Sequence, residues 1–400
     1  MSDWTRYKVE QIASTQPNSL ATGPFGSAIS SKFFTRVGVP VIRGSNLSLD
    51  VGKRLVEEGM AFISEELAST FSRSIARHGD LVFTCWGTIG QVGLIDKRAR
   101  YAEYVVSNKQ MKLTVNAQVA DPLFLYYMFS SPAYVSLLTS IGIGSSVPGF
   151  NLGQLRSLTV DLPALKEQQA IAAILAALDD KIAANDRVAR TSHDLAQAIT
   201  RRANASGRTM SLSALAVITM GSSPPGESYN ENGIGMPFYQ GTRDFGARFP
   251  GRRVWCTTPV RTASPGSTLV SVRAPVGTVN VARELCCIGR GVASLESRHG
   301  TPSVLFHELA GSQEVWRPYE SEGTVFGAIS KAQMESIRIK SLDASTARLL
   351  DAKLSPFDKA VVTKFVEDRS LVSLRDALLP GLMSGEIRVR EAENIVEDAT

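Results

Sequence analysis

The 400-residue sequence predicts an α/β protein in which two α/β globular domains are separated by two long helices. The first observation is a helical stretch over residues 162–199, which contains no Gly and has its one Pro at position 163, where a first helical turn tolerates it. The second is that this stretch recurs near the end of the chain, and the third is that the preceding segments also match. Together they predict a pseudo-twofold repeat whose helices pair as an antiparallel coiled coil.

Residues 1–160 form the first predicted globular domain. A strand-like run at 39–44 is followed by two β runs within 78–95 that are joined through glycines. A helix is predicted over 121–138, with a break at its internal proline. A Gly/Ser turn, a short helix with an Asn cap and a strand are predicted over 140–163.

Residues 161–206 form the predicted central helical spacer. Spacings of three and four residues define an inward stripe of the helix. Its members are Ile171, Ile174, Leu178, Ile182, Asn185, Ala189, Ser192, Ala196 and Ile199. The polar Asn185 in this stripe can set the register of a helix pair at some cost in stability. At about 1.5 Å per residue the stretch is about 57 Å long, which favours a spacer, although an amphipathic helix packed on its own domain is the alternative for this segment taken alone.

The second half of the chain repeats the plan of the first. A polar linker at 201–208 marks the predicted boundary, and residues 207–340 form the second globular domain. Two glycines of the first β pair recur 187 positions later as Gly266 and Gly277. A unit of about 180 residues that occurs twice is too long and too few in number for a solenoid.

The second long helix is predicted within residues 341–390, a C-terminal helical spacer. Its residues Phe357, Val361 and Lys364 are predicted to face the first helix, and Lys364 takes the position of the polar residue in the first stripe, 179 positions on. The acidic end, residues 391–400, is predicted to be a disordered tail.

Positive charge is concentrated in the two globular domains. The net charge is +4 for residues 1–160 and +4 for 207–340, against 0 for 161–206 and −3 for 341–400. Twelve of the 14 basic residues in the second domain are Arg, the side chain that binds guanine edges and phosphates in a bidentate manner. This distribution favours a nucleic-acid partner.

The cysteines and the apolar runs indicate the state of the thiols and the cellular compartment of the protein. No CxxC spacing occurs, which favours buried free thiols over zinc ligands or disulfides. The four cysteines are Cys85, Cys256, Cys286 and Cys287. The start of the sequence lacks an apolar signal core, and no apolar run reaches the roughly 18 residues of a membrane span. We therefore expect a cytoplasmic protein that does not contact a membrane.

The sequence contains no recognisable catalytic constellation. P-loop, GxGxxG and GxSxG patterns are missing. His307 and Glu308 begin an HExxH motif that stops at Gly311, and the SPPG turn at 223–226 lacks the flanking residues of an amino-methyltransferase motif. We therefore predict no enzyme activity, no cofactor and no metal site.

Six landmarks along nearly the whole chain resemble those of one family. In chain order they are GDLVFTCWGTIGQVG (79–93), the GSS turn (144–147), LPALKEQQAIAAILAALDDKI (162–182), SVRAPVGTVN (271–280), the GTV turn (323–325) and LRDALLPGLMSGEIRV (374–389). The chain is similar to the specificity subunits of type I restriction–modification systems. One departure is that Thr346 and Ala347 stand where the first copy has Glu167 and Gln168, which leaves the start of the second helix open.

The resemblance implies two target recognition domains that read a bipartite site on double-stranded DNA, one domain per half-site. It also implies assembly with two methyltransferase (M) subunits and with restriction/translocase (R) subunits for cleavage, and a chain without a catalytic centre. A stand-alone DNA methyltransferase or nuclease is one alternative, which catalysis by the purified chain would support. A coiled-coil scaffold without DNA specificity is the other, which sequence-specific retardation of DNA by the complex would exclude.

Candidate DNA-binding residues come from loops and strand ends in both domains. They are Phe25, Ser27, Arg43, Asn46, Trp86, Ser145, Gln240, Arg243, Arg273 and Thr324. Trp86 and Arg273 occupy aligned positions, where Trp can stack and Arg can pair with guanine or phosphate. For each candidate, a surface or folding role remains the alternative.

Overall fold

The structure is a computed structural model that describes residues 4–142, 149–320 and 327–399. The chain divides into two compact units. The first contains residues 1–183 and 368–400, and the second contains residues 184–367. Each long helix contributes one end to each unit, so both units are larger than the predicted globular domains.

The first half of the chain alternates short strands with helices. Its strands are β1 (Thr5–Lys8), β2 (Leu20–Thr22), β3 (Val39–Ile42), β4 (Ala61–Ile63), β5 (Ile75–Arg77), β6 (Asp80–Thr84), β7 (Val92–Leu94), β8 (Glu103–Val106), β9 (Gln110–Thr114) and β10 (Thr159–Leu162). Its helices are α1 (Val9–Ile12), α2 (Glu65–Ser69), α3 (Pro122–Ser130), α4 (Pro132–Ser140), α5 (Leu152–Ser157) and α6 (Leu165–Ala203). The predicted strands at 39–44 and within 78–95 are confirmed, as are the helix break at Pro132 and the Asn cap, since Asn151 Oδ1 accepts the backbone N–H of Gln154 at 3.0 Å.

The second half contains the corresponding elements. Its strands are β11 (Arg208–Ser211), β12 (Ala216–Met220), β13 (Tyr229–Asn230), β14 (Met236–Tyr239), β15 (Trp255–Cys256), β16 (Thr262–Ala263), β17 (Thr268–Ser271), β18 (Val279–Val281), β19 (Cys286–Ile288), β20 (Val292–Ser297) and β21 (Arg338–Ser341). Its helices are α7 (Leu212–Leu215), α8 (Pro302–Ala310), α9 (Lys331–Ser336), α10 (Ala344–Ser384) and α11 (Val389–Ala399).

The sheets show that the sequence repeat is a repeat of topology. In the first unit the sheet orders are β2-β9-β6-β7 and β4-β3-β8-β5, and in the second unit β12-β20-β17-β18 and β13-β15-β14-β19-β16. In each unit a single pair is parallel, β3 with β8 and β14 with β19, and the other pairs of these sheets are antiparallel. A small antiparallel pair, β1 with β10 or β11 with β21, joins the two ends of each globular domain.

The two long helices pair in an antiparallel sense. Helix α6 has 39 residues and α10 has 41. In the first unit Leu178 of α6 shares a hydrophobic cluster with Leu378 of α10, and in the second unit Ala196 of α6 shares one with Leu354 of α10. The beginning of each helix therefore meets the end of the other, which confirms the predicted arrangement.

Helix α10 begins at Ala344, which answers where the second long helix starts despite the departures at Thr346 and Ala347. The Asp343 carboxylate accepts the backbone N–H groups of Ser345 and Thr346 at 3.0 Å each, so Asp343 caps the helix. In the first copy the buried Gln168 amide accepts the backbone N–H of Asp121 at 2.9 Å, at the start of α3. In the second copy the Asp351 carboxylate binds the start of α8 instead. Ala347 can therefore stand at the position equivalent to Gln168.

Two predicted irregular segments are ordered. The predicted linker at 201–208 contains the end of α6 at Ala203 and the start of β11 at Arg208, and the Asn204 amide donates to the Lys340 carbonyl oxygen at 3.0 Å. The tail at 391–400 is not disordered, because α11 places Ala392 in the core of the first unit. Its acidic composition conceals apolar residues at helical spacing, which supply a buried face.

The cysteine prediction is confirmed, since all four side chains are buried free thiols. Cys286 and Cys287 alternate along β19 and belong to different hydrophobic clusters. None of the helices in the described part of the chain combines the length and apolar character of a membrane span.

Candidate nucleic-acid interface

The first cleft lies at the carboxyl ends of the parallel strands β3 and β8, beside the tip of the β6–β7 hairpin. Parallel strands end at the same sheet edge, so the loops that follow them meet there. The backbone N–H of Ser107 continues this pairing by donating to the Ile42 carbonyl oxygen at 3.0 Å. The cleft has a volume of about 620 Å³. It is lined by Ile29, Phe34, Arg43, Gly44, Ser45, Thr84, Trp86, Gly87, Thr88, Gln91, Ser107, Asn108 and Lys109.

Several polar groups of the first cleft are already bonded within the protein. Arg43 lies over the Phe34 ring at 5.5 Å and donates to the Gly59 carbonyl oxygen at 3.3 Å. The Gln91 amide donates to a backbone oxygen. The available groups include Trp86, which is 48% exposed, and the exposed Lys109. This cleft therefore offers a ring face and a cation.

The second cleft is built from the corresponding elements, β14, β19 and the tip of the β17–β18 hairpin. The backbone N–H of Gly289 donates to the Tyr239 carbonyl oxygen at 2.9 Å, as Ser107 does in the first cleft. The cleft has a volume of about 610 Å³. It is lined by Tyr229, Asn230, Glu231, Gln240, Gly241, Thr242, Arg243, Asp244, Arg253, Val254, Arg273, Ala274 and Gly291.

A buried carboxylate holds one loop of the second cleft. Asp244 is 4% exposed and accepts the backbone N–H of Gln240 at 2.6 Å and Arg253 Nη2 at 2.9 Å. These bonds fix the turn between Gln240 and Asp244, so the side chains of Gln240 and Arg243 are exposed on a constrained loop. Arg273 is also exposed, on the hairpin tip.

The aligned positions Trp86 and Arg273 are structurally equivalent. Trp86 forms an isolated antiparallel bridge with Gly149, and Arg273 forms one with Ala328. Ala328 lies 179 positions after Gly149. A Cβ at Gly149 would lie 2.5 Å from the Trp86 ring, so the ring requires glycine beneath it. The two clefts therefore present different chemistry at the same place.

The remaining candidate DNA-binding residues differ in their exposure. Asn46 is 1% exposed, and its amide accepts the Arg43 N–H at 3.0 Å and donates to a backbone oxygen at 2.8 Å. It shapes the loop, as Asp244 does in the second cleft, and we remove it from the candidate contacts. Phe25 is 85% exposed beside the exposed Ser27, on a loop tied to the cleft because Asn108 donates to the Gly26 carbonyl oxygen at 3.0 Å. Ser145 and Thr324 lie outside the described residues.

The cleft residues missing from the sequence-based set include Thr88, Lys109, Glu231 and Arg253. Lys109 follows β8 as Arg43 follows β3, but the sequence does not reveal that these strands are neighbours. Glu231 precedes β14 in a turn with no motif. In the described ranges, no group of three or more His, Cys, Asp or Glu residues could hold a metal ion.

The comparisons with known proteins agree with this architecture. The model of the type I restriction modification DNA specificity domain matches residues 2–189. A protein of Methanocaldococcus jannaschii assigned as the type I restriction enzyme MjaX specificity subunit is 24% identical over 385 residues, which cover 89% of this chain and 88% of the relative. The chain is therefore similar to the type I restriction–modification specificity subunits.

Two further comparisons concern a part of the chain and its fold. The HindI specificity subunit of Haemophilus influenzae is 32% identical over 99 residues, 24% of this chain and 21% of that one. The crystal structure of the type I S subunit of M. genitalium matches with a TM-score of 0.62 at 15% identity, over 95% of this chain and 96% of that chain. The resemblance and the fold predicted from the sequence are thus confirmed.

In each unit the globular domain is joined to the long helices through a carboxylate, which is buried in the first unit and half-buried in the second. In the first unit Asp179 of α6 accepts the Tyr127 hydroxyl at 2.5 Å and Arg375 Nη1 of α10 at 3.0 Å, and it lies 3.6 Å from Arg54 Nη2. Burial acts to lower the pKa of Arg54, but the Tyr127 hydroxyl and Asp96 outweigh it and the pKa is raised. The guanidinium is therefore charged inside the unit.

The second unit repeats this arrangement at the position 179 residues later. Asp358 of α10 accepts Arg248 Nη2 at 2.6 Å and lies 3.0 Å from His307 Nε2. Burial acts to raise the pKa of Asp358, but His307 and Arg248 outweigh it and the pKa is lowered. Burial lowers the pKa of Arg248 to about 10 against the opposing effect of Asp358.

The residues predicted to face the helix partner lie as follows. Ile171, Leu178, Asn185 and Val361 are buried, and Ile174, Ile182, Phe357 and Lys364 are half-buried. Lys364 pairs with Glu367 of its own helix at 2.7 Å. The stripe omits Leu175, which is 0% exposed, and Asp179, whose charge hides its burial from a hydrophobic pattern.

Proposed function

We propose that this chain is the DNA sequence-recognition subunit of a type I restriction–modification complex. It reads a bipartite double-stranded target, with residues 1–160 as the first target recognition domain and 207–340 as the second. The observation that carries the proposal is the pair of clefts, which are built by the same elements and lined by different side chains. Equivalent scaffolds with unlike linings suit two half-sites of different sequence.

The cleft linings support contact with nucleic acid. Lys109 in the first cleft and Arg243 and Arg273 in the second supply cations for phosphates and base edges. Trp86 supplies a ring for stacking or for apolar contact with a base. Phosphate contacts would set the position of each domain, and the cleft side chains would specify bases.

The long helices would separate the two domains along the DNA. Helix α6 has 39 residues, which at about 1.5 Å per residue gives about 58 Å, enough to span one helical turn of B-DNA at about 34–36 Å with room for the domains. A spacer between half-sites would then be left unread. We propose that the chain recruits two methyltransferase (M) subunits and the restriction/translocase (R) subunits. Those subunits would carry out methylation and cleavage, and this chain would recognise the DNA sequence. The complex would act in the cytoplasm, where the DNA is accessible.

Domain exchange tests this function. Replacing residues 209–340 with the corresponding domain of a relative should change one half of the methylated motif and leave the other half as in the wild type. The measurement is long-read mapping of methylated adenines in cells that carry the complete system, compared with cells that lack this gene. A change in both halves, or methylation that does not depend on this gene, would contradict the proposal.

A further inference from the structure

We propose that the second cleft reads G·C base pairs in the major groove, with Arg243 and Arg273 each directed to a guanine and Glu231 to a cytosine. This inference rests on the proposed function and names the base chemistry of one half-site. The evidence for this inference is that some charged groups of the cleft are already bonded within the protein, whereas others are available.

Two arginines in or beside the second cleft are engaged within the protein. Arg253 binds Asp244 in the cleft wall at 2.9 Å, and Arg252, just outside, binds Glu284 at 2.6 Å. By contrast, no described residue accepts a hydrogen bond from the guanidinium of Arg243 or Arg273, although both side chains are exposed and line the cleft. Two unbonded guanidinium groups thus face one concave surface.

The other available groups distinguish a base pair from a phosphate. Glu231 is exposed and lines the same cleft, and within the described part of the chain its carboxylate has no hydrogen-bond or ion-pair partner. A carboxylate would repel a phosphate, whereas cytosine presents an N4 amino donor that carboxylates accept. Guanine presents O6 and N7 as adjacent acceptors, which match one guanidinium. The mixed charges of the cleft therefore match the major-groove edge of a G·C pair.

The loop that carries Arg243 is held in place before any ligand binds. The Asp244 carboxylate fastens the Gln240 N–H, and Arg253 neutralises that carboxylate. Arg253 thus acts as a positioning residue, while Arg243 extends from a turn whose backbone is fixed. A preorganised side chain loses less conformational entropy on binding and discriminates better between bases.

The first cleft lacks this combination. Its Arg43 lies against Phe34 and a backbone oxygen, and the position equivalent to Arg273 holds Trp86. The inference therefore applies to one half of the target and predicts different base preferences in the two halves.

The test uses the complex of the full chain with its methyltransferase subunits. After the methylated motif is mapped, each guanine of the motif is replaced in turn by 7-deazaguanine, which lacks the N7 acceptor. We expect one or two positions, all in the half-site assigned to residues 209–340 by domain exchange, to lose affinity about 5- to 100-fold in the wild type. Arg273→Ala and Arg243→Ala should abolish this sensitivity and relax the motif at those positions, and Glu231→Gln should relax the same base pairs.

Arg252→Ala is the matched control, because this neighbouring arginine is exposed, paired with Glu284 and outside the cleft lining. It should leave the motif unchanged. Wild-type complex that tolerates 7-deazaguanine throughout that half-site would overturn the inference without any variant having to fold. So would cleft variants that weaken all sequences equally and reduce the salt dependence by about one phosphate, the behaviour of a backbone contact. A wild-type complex that has no methylation motif would instead overturn the proposed function.

Discussion

The buried Asp179 carboxylate provides a direct test of how a globular domain is held to the long helices. Asp179→Asn keeps the shape of the side chain and removes its charge. Arg375 would then lose its buried charge partner, because its other carboxylate partners, Asp376 at 2.8 Å and Asp50 at 3.9 Å, are 53% and 48% exposed. The new amide also presents an NH₂ group to Arg375 and Arg54, which are themselves donors, so buried hydrogen bonds cannot all be formed.

The magnitude follows from the burial of the three charged groups. The side chains of Asp179, Arg54 and Arg375 are 1%, 5% and 4% exposed. Removing one partner from a buried ion pair costs about 3–5 kcal/mol. In a unit of roughly 200 residues each kcal/mol lowers the melting temperature by about 2–4 °C, so we expect a decrease of about 6–20 °C.

Differential scanning calorimetry of the purified chain measures this decrease. Asp180→Asn is the matched control, because Asp180 is the next residue of α6, is 54% exposed and pairs with Arg98 at 2.6 Å. An exposed pair contributes about 0–1 kcal/mol, so the control should melt within about 4 °C of the wild type. If the two variants melted at the same temperature, the buried carboxylate would not hold the helices to the domain.

Two further variants test the helix seam and a buried acid. Leu178→Asp buries an unpaired charge in the core and should destabilise the first unit by several kcal/mol. The control is Ala177→Asp, on the exposed face one residue earlier, which should melt like the wild type. Equal melting of the two variants in calorimetry would show that the stripe is not packed. Burial raises the pKa of Glu308 from 4.5 to about 7, so its contribution to stability is complete below pH 4.5 and is lost as the pH rises through 7. Denaturant titrations at pH 5 and pH 8 should therefore show a loss of up to about 3 kcal/mol in the wild type that Glu308→Gln lacks, and an identical pH dependence of the two proteins would contradict this assignment.

The repeat and the long helices could be predicted because their signals are local. Helical spacing, the lack of glycine and the recurrence at 179 residues are all properties of contiguous sequence. The same is true of the hairpin tip that carries Trp86 or Arg273, because its strands are neighbours along the chain. The errors at the tail arose where composition was weighed above spacing, since Ala392 and its helical neighbours are apolar among acidic residues.

The clefts could be predicted only in part, because their walls come from strands that are far apart in sequence. Arg43 and Gln240 were identified as loop residues after strands, but Lys109 comes from a strand whose parallel partner, β3, ends more than 60 residues earlier. Whether a polar side chain faces a ligand or the fold is also a tertiary question. Asn46 and Arg243 occupy similar turns, yet the first is consumed by backbone hydrogen bonds and the second is exposed.

The sequence by itself determined the twofold α/β architecture, the two long helices and the resemblance to a family, because periodicity and repeated motifs depend on residues close together in the chain. The tertiary structure decided which strands lie side by side, which arginines are already paired, and that Asp179 and Asp358 bind arginines at equivalent points. These properties depend on burial and on contacts between distant residues. A charged side chain has the same letter whether it is bonded inside the protein or available to DNA, and only the folded chain distinguishes the two.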